Sequence, residues 1–90
     1  SEEIVEFEPL HITLSWQPVE EALFYQVEAF NQNMYLVWQS PPTTETSLNL
    51  PAKIATDLKG SSYFFWQILI YCSDERVIDS PVRKVRLTPQ

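Results

Sequence analysis

The sequence predicts an all-β fold: a seven-stranded, two-sheet antiparallel sandwich with one short helical turn near residues 52–58. Three observations lead there. "HITLSW" alternates cleanly, with Ile12, Leu14 and Trp16 on one face and His11, Thr13 and Ser15 on the other. Runs of this kind recur at short intervals, separated by breaks such as "NQN" and "PPTTET". Helical character is confined to one short piece, "PAKIATDLKG".

Each element follows from its residues. "IVEF" at 4–7 reads as a first edge strand closed by Pro9, and 11–16 as the second. After "QPVEEA", the stretch "LFYQVEAF" puts Leu23, Tyr25, Val27 and Ala29 on one face, opposite Phe24, Gln26, Glu28 and Phe30. Asn31 and Asn33 supply turn chemistry, since Asn tolerates the left-handed backbone region. "MYLVWQS" then returns, making 22–40 a hairpin. "SLNL" is a short strand with Leu48 and Leu50 inward. Pro51 and Gly60 frame a helical piece too short to stand alone.

The strand at 62–72 contains "YFFWQILIYC", apolar but for Gln67. Parity turns Phe64, Trp66, Ile68, Ile70 and Cys72 inward, and Tyr63, Phe65, Gln67, Leu69 and Tyr71 outward. The turn "SDER" and a last strand, "VRKVRL", complete the set. The predicted core is therefore Ile12, Leu14, Trp16, Tyr25, Val27, Leu48, Leu50, Leu58, Phe64, Trp66, Ile68 and Ile70.

Ninety residues make a single domain, 1–90. The opening "SEEIVEFEP" has neither a Met nor an apolar stretch, so a piece excised from a longer protein is expected. The apolar run ends at Ser62 and Ser73, well short of the about 20 residues a membrane helix needs, so no direct membrane insertion is expected. Cys72, the single cysteine, cannot form an internal disulfide. The net charge of −6 is unevenly spread: residues 1–50 hold eight Glu and no Lys or Arg, while all six cations lie beyond. An acidic chain is a poor nucleic-acid binder, so that partner is excluded. The charge split reads as an acidic N-terminal edge facing a basic C-terminal strand.

Catalytic and metal chemistry find little support. His11, the only histidine, sits on the polar side of a strand with no Ser or Asp nearby in sequence. One His and one Cys are too few for zinc, and Cys72 on an apolar face is a small buried hydrophobe. Asp74, Glu75 and Asp79 gather in one loop but lack regular calcium-ligand spacing. A single glycine leaves no phosphate-cradling loop. The chain is expected to be no enzyme and to bind no cofactor.

"LSWQPVEEALFYQVEAF" and "LVWQSPPTTETSLNLPAKIATDLKGSSYFFWQI" together resemble the fibronectin type III family in its bacterial form, along nearly the whole chain. The resemblance rests on order and spacing: a Trp closing the second strand, a Tyr-x-Val third strand, Leu-x-Leu-Pro, Leu-x-x-Gly and an aromatic-Trp strand. It implies an immunoglobulin-like sandwich with the first, second and fifth strands in one sheet and the other four in the second. The family places a corner Tyr six residues after the Leu that precedes the long strand. Here that position is Phe64, with Tyr63 one residue early. Either Tyr63 caps a shortened corner or the corner bond is missing.

The resemblance also implies a non-catalytic interaction or spacer domain of a larger, extracytoplasmic, membrane-anchored bacterial protein. The outward face of the four-stranded sheet offers Phe24, Phe30, Phe65, Leu69 and Tyr71 for docking on another domain of the same chain or on a second copy. Against this, Arg83, Lys84 and Arg86 can lay their stems over those aromatics. The alternative is a carbohydrate-binding module that stacks sugars on Trp38, Tyr35 or Phe65; Trp16 and Trp66 read as buried, leaving Trp38 as the free indole. In this family the first and last strands run near each other, which brings Glu3, Glu6 and Glu8 toward Arg83, Lys84 and Arg86.

Overall fold

Strand pairing is organised around the two longest strands, β3 (Ala22–Phe30) and β6 (Tyr63–Cys72). The computed structural model describes residues 2–6, 12–58 and 60–88. The remaining elements are β1 (Glu2–Glu6), β2 (Thr13–Ser15), β4 (Leu36–Gln39), β5 (Ser47–Asn49), α1 (Ala52–Leu58), β7 (Val77–Asp79) and β8 (Arg83–Thr88). The strands form a six-stranded sheet in the order β1-β8-β6-β3-β4, with β7 also on β6, and a two-stranded sheet of β2 and β5. This is the predicted β-sandwich.

Alternation is the physical origin of the core. Along β6, Phe64, Trp66, Ile68, Ile70 and Cys72 are buried while every intervening residue is half-buried. Antiparallel β3 contributes Tyr25, Val27 and Ala29 from the same face. The small sheet and its flanks close over them with Ile12, Leu14, Trp16 and Leu50, and Leu48 is partly buried against the cluster. Trp16 sits edge-on to Tyr25 at 5.6 Å and lies 6.2 Å from Trp66. The Tyr25 hydroxyl accepts a hydrogen bond from the Val19 N–H at 3.0 Å, tying the β2–β3 connection to the core. Helix α1 adds Ala55 and Leu58 to the same cluster. Phe64 takes the inward position and Tyr63 the outward one.

Several details depart from the sequence reading. Leu23 is 59% exposed rather than inward, because the register shifts between Ala22 and Phe24. That bulge spends one residue without a partner, and Ala22 packs against the core instead. In the 31–35 turn the left-handed residue is Met34, with φ 67°, not an Asn. The Asn31 side chain accepts hydrogen bonds from the N–H groups of Asn33 and Tyr35, which holds the turn. The first strand joins the larger sheet instead of the second and fifth strands: β1 runs parallel to β8, with Glu2 opposite Lys84 and Ile4 opposite Arg86. The nearness of first and last strands therefore takes the form of direct pairing, while Glu8 lies outside the described residues.

The expected last strand forms as β8, and a further short strand, β7, forms in the segment that the sequence reads as the loop before it. β7 and β8 lie along the same side of β6, but between Leu69↔Asp79 and Trp66↔Arg83 three steps on β6 face four on the partner. The extra residue falls at Ser80-Pro81-Val82. There the Ser80 N–H donates to the Ile68 carbonyl, and the Ile68 N–H donates to Ser80 Oγ, both at 2.9 Å. The opposite flank repeats this device. Beyond β4, the Ser40 N–H donates to the Val27 carbonyl and the Val27 N–H donates to Ser40 Oγ, both at 2.8 Å. Val27 and Ile68 are register partners, so both outward sides of one rung are completed by a Ser-Pro pair. Proline cannot donate to a ladder, and the preceding serine hydroxyl takes the place of a backbone carbonyl.

Two stability measurements check this account. Leu50→Ala should cost about 2–5 kcal/mol in urea unfolding, whereas Leu23→Ala should stay within about 0.5 kcal/mol. Ser40→Ala strands the Val27 N–H and should cost about 1–3 kcal/mol; Ser80→Ala should cost less, because half-exposed Ser80 leaves water access to the Ile68 N–H.

Candidate interaction face

The outward side of β3 and β6 is built from four facing pairs: Phe24–Tyr71, Gln26–Leu69, Glu28–Gln67 and Phe30–Phe65. The pleat puts these eight residues on the face opposite the core, and all are half-buried. Phe24 and Tyr71 stack with centroids 4.4 Å apart and planes inclined by 20°. The Tyr71 hydroxyl donates to Gln26 Oε1 at 2.8 Å, and Gln26 Nε2 donates to the Ser40 carbonyl at 3.1 Å. Gln67 Nε2 donates to Glu28 Oε1 at 2.9 Å. The face thus has two aromatic ends separated by a hydrogen-bonded polar middle. The residues expected to form one docking patch are brought together at both ends of this face: Phe24, Tyr71 and Leu69 on one side, Phe30 and Phe65 on the other.

Neighbouring strands modify the second end. Tyr63 meets Phe65 edge-on at 5.5 Å, and the Lys84 ammonium lies 4.3 Å from the Tyr63 ring centroid. This cation–π contact is made to Tyr63, which lies outside the five face residues that the last strand's cations are expected to cover. Arg83 has opposite parity and turns inward. Its guanidinium carbon lies 5.0 Å from the Trp66 ring centroid, and Nη1 donates to the Ser15 carbonyl at 3.4 Å, bridging the two sheets at their edge.

The exposed aromatic among the proposed sugar platforms is Tyr35, at 70% exposure, beside exposed Met34 and Leu36. Trp38 is not a free indole. It pairs with Ala29, whose face is the core face, and packs half-buried against the cluster. The register shift at Ala29/Phe30 in the β3–β4 pair sets that orientation, and hairpin length alone did not reveal it.

The acidic loop is committed elsewhere. Arg76 Nε donates to Asp74 Oδ2 at 2.6 Å and Nη2 donates to Glu21 Oε2, joining the β6–β7 turn to the start of β3. Asp79 lies apart on β7, opposite Leu69. Among the described residues no three His, Cys, Asp or Glu are grouped to hold a metal ion. His11 lies outside the described residues, and Cys72 is buried. The Arg76 backbone N–H, with its side chain, holds the Asp74 carboxyl below its ordinary value, outweighing desolvation. The Arg76 guanidinium is raised in turn by its hydrogen bond with Asp74, and then by Glu21.

No family model and no curated protein sequence matches this chain. Among solved structures, the crystal structure of CopC from Methylosinus trichosporium OB3b is similar over 99% of this chain and 85% of that one, with a TM-score of 0.61 and 12% sequence identity. At that identity the likeness is one of fold. The chain is a two-sheet β-sandwich, and the described residues contain no helix long and apolar enough to cross a membrane.

The Asp74 shift has a defined sign. Its folded value is depressed, so its contribution to stability is present above the unfolded value and is lost as pH falls through the folded one. In an NMR titration Asp74 should therefore titrate below 3.8. Arg76→Gln should raise it only part of the way, because the backbone donor remains. Asp74→Asn should flatten the acid limb of the stability curve.

Proposed function

We propose that this domain is a non-catalytic protein-interaction module of a larger, envelope-associated bacterial protein, docking through the outward face of its six-stranded sheet. The observation that carries the reading is the placement of Phe24, Phe30, Phe65, Leu69 and Tyr71. All five lie half-buried on the outer side of the two central strands, where packing within the domain leaves part of each accessible. A sandwich needs only one buried face per sheet, so apolar side chains at both ends of the other face support a contact role. The polar middle, Gln26, Glu28 and Gln67, is bridged internally, which lowers the cost of covering it, although the Glu28 carboxylate calls for a further donor from the partner. The partner is another domain of the same protein or a second copy. Extracytoplasmic placement rests on the resemblance to fibronectin type III domains appended to membrane-anchored proteins.

Carbohydrate binding has less support. Sugars stack on ring faces, but Phe24 and Tyr71 spend theirs on each other, and Trp38 is turned toward the core. Tyr35 alone is a weak platform.

The double substitution Phe65→Ser/Leu69→Ser tests the docking face. Sedimentation of the domain alone, and of a longer piece carrying its neighbouring domain, should show association that the variant loses. The variant should keep the cooperative melt of a folded sandwich. Undiminished association, or an unfolded variant, would sink the reading, the latter by showing these side chains to be core.

A further inference from the structure

We infer that the outer edge of β8 is a strand-acceptor site for an acidic extended segment, supplied in trans by β1 of a second copy of this chain. The inference is independent of the docking face. In the sheet order β1 stands at the end, and among the described residues β8 is its one strand neighbour. Every strand–strand bond it makes is therefore to β8, and the same bonds form if β1 comes from another molecule. Exchange of an identical element between copies needs no new surface.

Charge selects the occupant. β1 reads EEIVE, with three carboxylates in five residues, and β8 reads RKVRLT, with three cations in six. Their register sets Glu2 opposite Lys84, Glu3 opposite Val85, Ile4 opposite Arg86 and Glu6 opposite Thr88, so one acidic position stands directly opposite a basic one and the remaining match is between the strands as wholes. Other pairings of this edge are less favourable. Two β8 edges would set cations against cations, and like charges on neighbouring strands are destabilising. The edge strand β4, LVWQ, carries no charge to complement β8. Within this chain the acidic β1 is the complementary strand.

The length of the connection bounds the exchange. Residues 7–12 join β1 to β2 in the other sheet, and they include Pro9. Six residues reach at most about 20 Å, so one copy's β1 can cross only to a closely apposed neighbour. Within one molecule the tether gives β1 an effective concentration in the millimolar range, so exchange is expected at protein concentrations near 1 mM.

Disulfide trapping on the whole chain tests this. Neighbouring strand positions have the Cα spacing a disulfide requires. The double variant Ile4→Cys/Arg86→Cys, oxidised in dilute solution, should close an intramolecular disulfide and so report the register in cis. Mixing the single variants Ile4→Cys and Arg86→Cys near 1 mM should give a crosslinked heterodimer at least about fivefold more abundant than Ile4→Cys mixed with Val77→Cys. Val77 is 51% exposed on β7 and serves as the out-of-register control, while buried Cys72 is common to both arms. The ratio between the arms should fall toward one in 1 M salt, where screening acts over about 3 Å; general repulsion between acidic copies affects both arms alike. Cis closure without excess trans crosslinking would overturn the exchange. Failure of both would overturn the register beneath it, and a ratio unmoved by salt would overturn charge selection.

Discussion

The rung formed by Val27 and Ile68 is the constraint on which the rest of this sandwich depends. These two residues face each other across the central strands, buried on the core side, with their remaining backbone groups directed toward the flanking strands. A buried backbone group left unpaired costs about 1–3 kcal/mol, so both flanks must supply partners. Each flank does so at the point where a proline ends regular pairing: Ser40 before Pro41 and Ser80 before Pro81. The serine hydroxyl completes the ladder and frees the chain to leave it. On one side the chain pairs once more with β3, at the Tyr25–Thr43 bridge, before it enters the small sheet as β5. On the other it takes up one extra residue and continues along β6 as β8.

That arrangement sets the geometry of both candidate surfaces. Because the rung holds β3 and β6 in a continuous register, the outward pairs from Phe24–Tyr71 to Phe30–Phe65 form one ordered face. Because β8 resumes one residue out of step, Arg83 turns in to cover Trp66 and reach Ser15, while Lys84 turns out over Tyr63. The basic strand thus closes the sandwich edge with one residue and trims the aromatic face with the next. It also presents the cationic edge along which acidic β1 lies in parallel. These contacts are modest individually, since exposed charge contacts contribute about 0–1 kcal/mol each. Their value is in orientation.

The likeness to CopC is informative at the level of architecture. Two chains with 12% identity share a sandwich over nearly all of this one. Such sharing is expected when a fold is specified by alternation and turn placement rather than by particular side chains. Function must then be argued from surfaces. Here they are an aromatic face with a hydrogen-bonded polar middle and a strand edge of defined charge.

Alternation together with the breaks between strands determined the sandwich, the inward set of β6 and the outward set that makes the candidate face, while Pro51 and Gly60 framed the short helix. A period of two leaves each strand residue only two sides to occupy, and burial chooses between them. Tertiary structure decided what a single inserted residue can change. The bulge at Leu23, the shift that turns Trp38 toward the core, the added strand β7 ahead of Ser80-Pro81 and the transfer of the first strand to the larger sheet all arise from pairing between distant segments. A one-residue slip reverses every side chain beyond it, yet its local sequence cost is small. Strand partners, rather than the strand's own residues, therefore determine where it falls.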